Sequence, residues 1–265
     1  MKAWQASAIS ERGLGHASAG IPCQDVALAG ERNGVIAITL SDGAGTATLA
    51  DAGAKLVAET SLNYLLDEFD SLYHSDETSA KEQIVKRIVS RLEDQAIDDA
   101  ADLKAYSATL LAVAVKGERY IAVHVGDGVI AAMHGDALCV LSHPSNGEHA
   151  NETIFVNSQY AMRDMRLLRG RASAISGFIL MSDGSEQSLY DKANKSIAPA
   201  VVKLFVARLD MSKDEFDREL ADLLKNQIIQ RTSDDCSIAL MVRDRNRLRR
   251  FHKTFVRQSR NRTAR

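Results

Sequence analysis

Three aspartates, each at one end of an apolar run of strand length, constrain this chain more than any other feature. Asp42 and Asp183 follow such runs and precede a glycine, in Val-Ile-Ala-Ile-Thr-Leu-Ser-Asp-Gly and Phe-Ile-Leu-Met-Ser-Asp-Gly. Asp234 comes just before a third run, Cys-Ser-Ile-Ala-Leu-Met-Val. If these strands are neighbours, the carboxylates converge at a sheet edge and repel one another unless hard cations such as Mg²⁺ or Mn²⁺ lie between them. The pattern therefore indicates metal-assisted phosphate chemistry.

The composition is typical of a folded soluble protein. The chain has 265 residues, 45% of them hydrophobic and 26% charged, with only three prolines and no linker-like stretch. We therefore predict one domain over residues 1–242, followed by a basic tail over 243–265. No apolar run approaches the ~20 residues needed to span a bilayer, and the N-terminus lacks the apolar core of a signal peptide. A cytoplasmic protein without a membrane span is expected.

Charge is distributed unevenly between this domain and the tail. Residues 243–265 contain ten Lys or Arg and one Asp, a net charge of +9, whereas the preceding 23 basic and 34 acidic residues give −11. Such a tail can bind nucleic acid, anionic lipid or an acidic partner, or it can fold back on the acidic body. The acidic body and the 5% aromatic content argue against a nucleic-acid-binding protein.

The hydrophobic pattern predicts alternating groups of strands and helices. We expect strands at 3–9, 24–29 and 34–41, helices at 48–72 and 79–103, a meander of strands at 106–115, 120–125, 129–134 and 137–141, then a strand at 177–182, helices at 192–208 and 213–230, and a closing strand at 236–242. Residues 142–172 have no strong period and are expected to form an irregular functional flap. This order favours an α+β fold with antiparallel sheets between helix pairs.

Five short motifs carry a resemblance to a known family. They are Gly15-His-Ala-Ser-Ala-Gly-Ile-Pro-Cys-Gln-Asp25, Asp42-Gly-Ala-Gly, Val-Gly-Asp127-Gly, Met-Ser-Asp183-Gly and Asp234-Asp-Cys-Ser. Their order resembles that of the metal-dependent PPM or type 2C serine/threonine protein phosphatases, in particular a bacterial branch. The resemblance implies a four-layer sandwich of two antiparallel β-sheets flanked by pairs of helices.

The resemblance also implies a metal site with two Mn²⁺ or Mg²⁺ ions that activate a water for attack on the phosphate. Asp42 would bridge the two ions, and the carbonyl of Gly43 would join it at the second ion. Asp183 and Asp234 would complete the shell of the first ion, and Asp25 would lie near the second.

Asp127 resembles a position that, with Asp183, can hold a third and weaker ion. The alternative for Asp127 is an ordinary hairpin-turn aspartate.

Two departures from the family pattern concern the substrate. Gln24-Asp25 stands where many members have Glu-Asp, and no arginine lies a few residues before it to hold the phosphate. We predict that His16, with Arg12 behind it, binds the substrate phosphate or that His16 acts as a general acid. The alternative for His16 is a surface residue of a turn.

Other histidines and arginines give weaker signals. His124 is expected in the core, whereas His143 and His149 are expected in a solvated loop. Arg163, Arg166, Arg169 and Arg171 would give the 142–172 segment a basic face, either for phosphopeptide contact or simply solvated.

The leading functional hypothesis is a metal-dependent phosphatase acting on phosphoserine or phosphothreonine, monomeric and opposing a Ser/Thr protein kinase. The alternative is a catalytically weak phosphate-sensing or scaffolding module with the same fold, which the two departures motivate.

Overall fold

Two five-stranded antiparallel sheets form the centre of the protein, whose computed structural model describes residues 3–145, 153–243 and 248. What we call the Asp42 sheet contains, in spatial order, β2 (Asp25–Arg32), β3 (Val35–Asp42), β4 (Leu110–Lys116), β5 (Arg119–Val125) and β8 (Arg166–Arg171). The Asp183 sheet contains β1 (Gln5–Glu11), β12 (Cys236–Val242), β9 (Ile175–Met181), β6 (Val129–His134) and β7 (Ala137–Ser142). A hairpin of β10 (Tyr190–Asp191) and β11 (Ser196–Ile197) forms a separate two-stranded sheet.

Two pairs of helices cover the outer faces of the sheets, and three short helices lie in the connecting segments. They are α1 (Leu14–Ala19), α2 (Ala50–His74), α3 (Glu77–Asp98), α4 (Ala161–Asp164), α5 (Asp183–Leu189), α6 (Ala200–Asp210) and α7 (Lys213–Leu223). Short 3-10 turns at Leu103–Tyr106 and Ile229–Arg231 and a π-helical turn at Leu224–Ile228 complete the regular structure.

Strand β4 shows why the sequence folds into four layers. Its residues alternate between two cores, because successive side chains of a strand point to opposite faces. Leu110 and Ala112 pack in the core that contains Phe69 of α2. Leu111 and Val113 pack in the core between the sheets. Both faces of the strand are buried, so its sequence is continuously apolar rather than alternating.

A third core completes the sandwich on the other side. Phe205 of α6 and Phe216 of α7 pack there with Ile179 of β9 and Leu240 of β12. The α2–α3 pair therefore covers the Asp42 sheet, and the α6–α7 pair covers the Asp183 sheet. The predicted four-layer sandwich of two antiparallel sheets flanked by helix pairs is confirmed.

The predicted four-stranded meander over residues 106–141 is wrong. β4 and β5 pair in one sheet and β6 and β7 in the other, so the chain changes sheets at Gly126-Asp127-Gly128. Gly126 has a φ of +118°, and a Cβ there would lie 2.6 Å from the side chain of Thr109. A Cβ at Gly128 would lie 2.6 Å from the carbonyl oxygen of Met181. Glycines thus permit the close crossing, and Asp127 sits at its centre.

The irregular flap predicted for residues 142–172 is also wrong in part, because β8 lies at the edge of the Asp42 sheet next to β5. Leu167 packs in the core, whereas Arg166 donates to Ser142 Oγ at 2.9 Å and Arg169 donates to the carbonyl of Ser75 at 2.6 Å. These two arginines tie the strand to its neighbours rather than forming a free basic face. Charged residues on an edge strand hide its period from sequence inspection.

Three smaller predictions also need correction. The helix expected over 192–208 begins only at Ala200, because the preceding residues form the β10–β11 hairpin. The helix expected over 79–103 ends at Asp98, and Ile97 in its last turn is 78% exposed. His143 was expected to be solvated, but its Nδ1 lies 2.9 Å from the hydroxyl oxygen of Tyr190. His149 falls outside the described residues.

The start of the predicted tail is packed against the body. Arg243 is buried, donates to the carbonyl of Ile175 at 3.0 Å and stacks over the ring of Trp4 at 4.7 Å. Leu248 is fully buried in the core beneath α6 and α7. The rest of the tail lies outside the described residues. Among the helices that the structure describes, none is both long and apolar enough to cross a bilayer.

His124 is buried as predicted, at 1% exposure. Its Nε2 lies 2.9 Å from the carbonyl oxygen of Gly126 and its Nδ1 lies 2.7 Å from Ser142 Oγ. Burial lowers the pKa of His124 to about 3, with the charge of Arg166 adding to the effect. The neutral imidazole therefore holds the sheet crossing by donating to Gly126 and accepting from Ser142.

This burial predicts a pH dependence of stability. The unfolded chain protonates His124 near pH 6.5, whereas the folded protein does so only near pH 3. The free energy of unfolding should therefore fall as pH decreases through this window, by up to ~1.4 kcal/mol per pH unit. Urea unfolding of wild type and His124→Gln between pH 7 and pH 5 measures the effect. At pH 7 the variant should be less stable than the wild type, but its free energy of unfolding should depend less on pH. Parallel pH profiles of the two proteins would contradict a buried, neutral His124.

Candidate active site

A cavity of about 200 Å³ lies where the ends of the two sheets meet. The residues that line it come from both sheets and from the loops beside them: His16, Gln24, Asp42, Gly43, Ala44, Gly45, Thr109, Asp127, Thr153, Phe155, Asp183 and Asp234. Six of the predicted site residues are among them. The other two, Asp25 and Arg12, are not.

The position of Asp42 is fixed by the end of β3. Its backbone N–H donates to Thr109 Oγ1 at 3.0 Å, and its carbonyl accepts the N–H of Thr109 at 2.8 Å. The next residue, Gly43, donates its N–H to the carbonyl of Gln24 at 2.9 Å. A Cβ at Gly43 would lie 2.4 Å from the carbonyl oxygen of Ala50, the first residue of α2. This turn therefore needs glycine to bring β3 close to the helix.

The other three carboxylates of the cavity are each held by a nearby donor. Asp183 Oδ1 accepts the N–H of Gly184 at 2.6 Å, and Asp234 Oδ1 accepts the N–H of Asp235 at 2.9 Å. Asp127 Oδ2 accepts the hydroxyl of Thr153 at 2.7 Å. The structure thus brings Asp42, Asp127, Asp183 and Asp234 together from four separate parts of the chain.

Burial and the repulsion of neighbouring carboxylates destabilise the ionised forms of Asp42 and Asp183. The pKa of Asp42 lies well above its ordinary value because the group is buried and because Asp25, Asp183, Asp127 and Asp234 surround it. The pKa of Asp183 is raised to about 7, first by burial and then by Asp234 and Asp127. Cations in the cavity would relieve this repulsion.

The donor set fits Mg²⁺ or Mn²⁺. Within the ranges that the structure describes, no three His, Cys, Asp or Glu side chains form a ready-made cage around one point. Mg²⁺ is typically bound through one or two carboxylates and keeps several waters, so a cavity with dispersed aspartates suits it better than a closed cage. The four lining carboxylates and the carbonyl of Gly43 supply hard oxygen ligands of the required kind.

Asp25 lies behind the wall of the cavity rather than in it. It pairs with Asp42 in the register of β2 and β3 and is 4% exposed. Burial raises its pKa to about 8 and Asp235 and Asp183 add to the effect, although the hydroxyls of Ser182 and Ser237 lower it. Its Oδ2 is buried with no hydrogen-bond partner among the described residues. Asp25 is therefore close enough to act on Asp42 but is not in direct contact with the cavity.

Asp235 anchors the glycine-rich loop that carries His16. Its carboxylate is 2% exposed and accepts the N–H of Gly13 at 2.7 Å and the N–H of Gln24 at 2.6 Å. His16 Nδ1 lies 2.9 Å from Asp235 Oδ2. Asp235 therefore holds two backbone groups of this loop in place, and His16 lies at the edge of the cavity.

Arg12 lies on the outer surface of the same loop. It is exposed, and its Nη1 is 3.4 Å from the carbonyl oxygen of Ile21. Sequence inspection missed Thr109, Thr153 and Phe155, because an isolated hydroxyl or ring carries no motif. Their role becomes visible only when the crossing at Asp127 brings them to the cavity.

The two cysteines beside the site are poorly suited to redox chemistry. Burial raises the pKa of Cys23 well above its ordinary value and that of Cys236 to about 12. Both thiols are free and stay protonated, so the structure favours packing over oxidation sensitivity.

Comparison with known proteins places this chain in one family. The family model described as Protein phosphatase 2C matches residues 12–225. Serine/threonine-protein phosphatase 3 of Escherichia coli (strain K12) is 24% identical over 252 residues, which cover 90% of this chain and 98% of that protein.

Solved structures show the same architecture. The catalytic domain of serine threonine protein phosphatase PstP, in complex with two manganese ions, superimposes with a TM-score of 0.61 at 18% identity, covering 92% of this chain and 99% of that one. A serine/threonine phosphatase of S. agalactiae has a TM-score of 0.61 at 16% identity, covering 91% and 100%.

The class of protein is thus that of the serine/threonine protein phosphatases. The chain belongs to the protein phosphatase 2C family.

The close approach at Gly43 yields a test of the site's packing. Gly43→Ala would push a methyl group against the carbonyl of Ala50, whereas a Cβ at Gly45 meets nothing within 4 Å. We expect Gly43→Ala to lower the free energy of unfolding by ~1–3 kcal/mol, as overpacking usually does. Gly45→Ala is the matched control and should change stability little. Urea denaturation measures the free energy of unfolding of both variants. Equal values for Gly43→Ala and Gly45→Ala would contradict the close packing at Gly43.

Proposed function

We propose that this chain hydrolyses phosphoserine and phosphothreonine in proteins with two divalent ions, Mn²⁺ or Mg²⁺, held by the aspartates of the cavity. The observation that carries the proposal is the convergence of four mutually repelling carboxylates in one cavity. When bound, such ions supply an activated water and neutralise charge on the phosphoryl oxygens.

The residues divide naturally into two ligand groups. Asp42 ends β3 and is the carboxylate on which Asp25, Asp183, Asp127 and Asp234 all act, which suits a bridging ligand. Asp183 and Asp234 would complete one ion site. The carbonyl of Gly43 would contribute to the second, with Asp25 behind it acting through its charge.

His16 is the cavity residue that we assign to the substrate phosphate. Its Nδ1 lies 2.9 Å from a carboxylate oxygen of Asp235, and its Nε2 is the ring nitrogen that would donate to a phosphoryl oxygen or to the departing alkoxide. Arg12 does not line the cavity, and we therefore assign it no direct contact with the phosphate.

The alternative of a weak phosphate-sensing or scaffolding module rests on Gln24. This residue lines the cavity where a carboxylate is common in the family, and its Oε1 is buried with no hydrogen-bond partner among the described residues. An amide oxygen is a neutral ligand and binds a divalent cation more weakly than a carboxylate. Turnover measurements separate the two functions. The kinase counterpart, the monomeric state and the cytoplasmic location stay predictions from the sequence.

The first test is hydrolysis of p-nitrophenyl phosphate and of a phosphothreonine peptide with Mn²⁺, with Mg²⁺ and with EDTA. We expect turnover that requires metal and that falls by at least ~100-fold in Asp183→Asn, because this change removes a charged ligand next to the reacting phosphate. Circular dichroism checks that the variant is folded. Metal binding without turnover in the wild type would favour the sensing module instead.

The second test concerns His16. His16→Ala should lower kcat or raise KM for the phosphopeptide by ~100-fold, the usual size of a general acid's contribution, with Mn²⁺ affinity unchanged. His134→Ala, which removes an exposed histidine at the end of β6, is the matched control and should behave like the wild type. Unchanged phosphopeptide kinetics in His16→Ala would remove His16 from the proposed mechanism.

A further inference from the structure

A buried glutamine in the wall of the cavity has an unpaired amide oxygen. Gln24 lines the cavity and is only 8% exposed, so its side chain is enclosed by the site. Its Oε1 is buried and has no hydrogen-bond partner among the described residues. A buried polar atom without a partner costs free energy. In the wall of a cavity, such an atom indicates a side chain that is kept for a ligand.

The backbone of Gln24 is held on both sides. Its N–H donates to Asp235 Oδ2 at 2.6 Å, and its carbonyl accepts the N–H of Gly43 at 2.9 Å. Gly43 directly follows Asp42, which we assign as the bridging ligand. The side chain of Gln24 therefore starts from a fixed point beside the centre of the proposed metal site.

One carboxylate oxygen connects Gln24 with His16. Asp235 Oδ2, which accepts the N–H of Gln24, also lies 2.9 Å from Nδ1 of His16. The other oxygen of this buried carboxylate accepts the N–H of Gly13. Because Gln24 and His16 are placed by the same group and both line the cavity, their side chains border the same space.

The chemistry of the amide matches that of a phosphoryl oxygen. A glutamine side chain has two N–H donors besides its oxygen. Because no hydrogen bond to Oε1 fixes the amide, its NH2 group can turn toward the cavity. A carboxylate in this place would only accept hydrogen bonds and would repel a phosphate. The neutral amide instead donates to an anion without adding negative charge to a cavity that already has four carboxylates.

We propose that the side-chain amide of Gln24 donates a hydrogen bond to the substrate phosphate and, together with the imidazole of His16, forms a two-donor clamp on it. The inference deepens the proposed phosphatase function and rests on it. The ions would neutralise the charge of the phosphoryl group, and the clamp would fix its orientation. Gln24 thereby has a direct role in hydrolysis rather than marking a weakened metal site.

The test measures the binding of Mg²⁺ and of inorganic phosphate to the full-length protein by isothermal titration calorimetry. Phosphate, the product of hydrolysis, is titrated at saturating Mg²⁺. Gln24→Met keeps the length of the side chain but removes both donors. In this variant phosphate should bind at least ~10-fold more weakly, the usual size of a hydrogen bond to a charged group. The affinity for Mg²⁺ in the absence of phosphate should not change.

Two further variants separate the donor from other effects. Gln24→Glu keeps the shape of the side chain but replaces its donors by a negative charge, so phosphate should bind at least as weakly as in Gln24→Met. Gln230→Met removes an exposed glutamine that does not line the cavity, and it should bind phosphate like the wild type. Circular dichroism checks that each variant is folded.

The outcomes distinguish this inference from the proposed function. Unchanged or higher phosphate affinity in Gln24→Met and Gln24→Glu would overturn the inference and leave the two-metal proposal standing. A parallel loss of Mg²⁺ affinity in Gln24→Met would also overturn it, because Gln24 would then be a metal ligand. Wild-type protein that binds Mg²⁺ and phosphate but hydrolyses no phosphopeptide would refute the proposed function, whereas weaker phosphate binding in Gln24→Met would still support the clamp.

Discussion

Repulsion among partly buried aspartates is the constraint on which the rest of the structure depends. Asp42, Asp127, Asp183 and Asp234 are held in one cavity, although Asp127 and Asp234 raise the pKa values of both Asp42 and Asp183. A chain tolerates such an arrangement only where the surrounding fold is rigid enough to prevent the charges from separating. The four-layer sandwich supplies this rigidity, because Asp42 ends β3, Asp127 lies at the crossing between the sheets, and Asp183 and Asp234 each lie two residues from a central strand.

The opening loop and the closing strand are connected through one further carboxylate. Asp235 accepts two backbone N–H groups from the segment 13–24 and faces the imidazole of His16. A buried carboxylate that accepts several N–H groups is held in one orientation. Asp235 therefore positions the loop that carries His16, whereas Asp234, one residue earlier, lines the cavity. Two adjacent aspartates thus have different surroundings and different tasks.

Much of the fold could be predicted from the sequence because local patterns dominate it. The runs before Asp42 and Asp183 are strands, as predicted, and the α2 helix matches its expected bounds to within two residues. The meander prediction failed because β5 and β6, although consecutive in the chain, lie in different sheets, and the glycine-permitted crossing between them has no local period that reveals it. Strand β8 was missed because arginines interrupt its alternation, and these arginines bond to residues far away in sequence.

The site was predictable to a similar degree, and for a similar reason. Asp-Gly motifs at strand ends mark the carboxylates that line the cavity, but Glu186 and Lys192, whose Oε1 and Nζ atoms lie 2.6 Å apart, carry no motif. Their pairing depends on a hairpin inserted between α5 and α6, in a stretch where the sequence indicated a helix. A lysine on such a hairpin can neutralise a buried glutamate without entering the cavity. The charge close to Asp183 therefore also depends on residues outside the motifs, which local sequence patterns do not reveal.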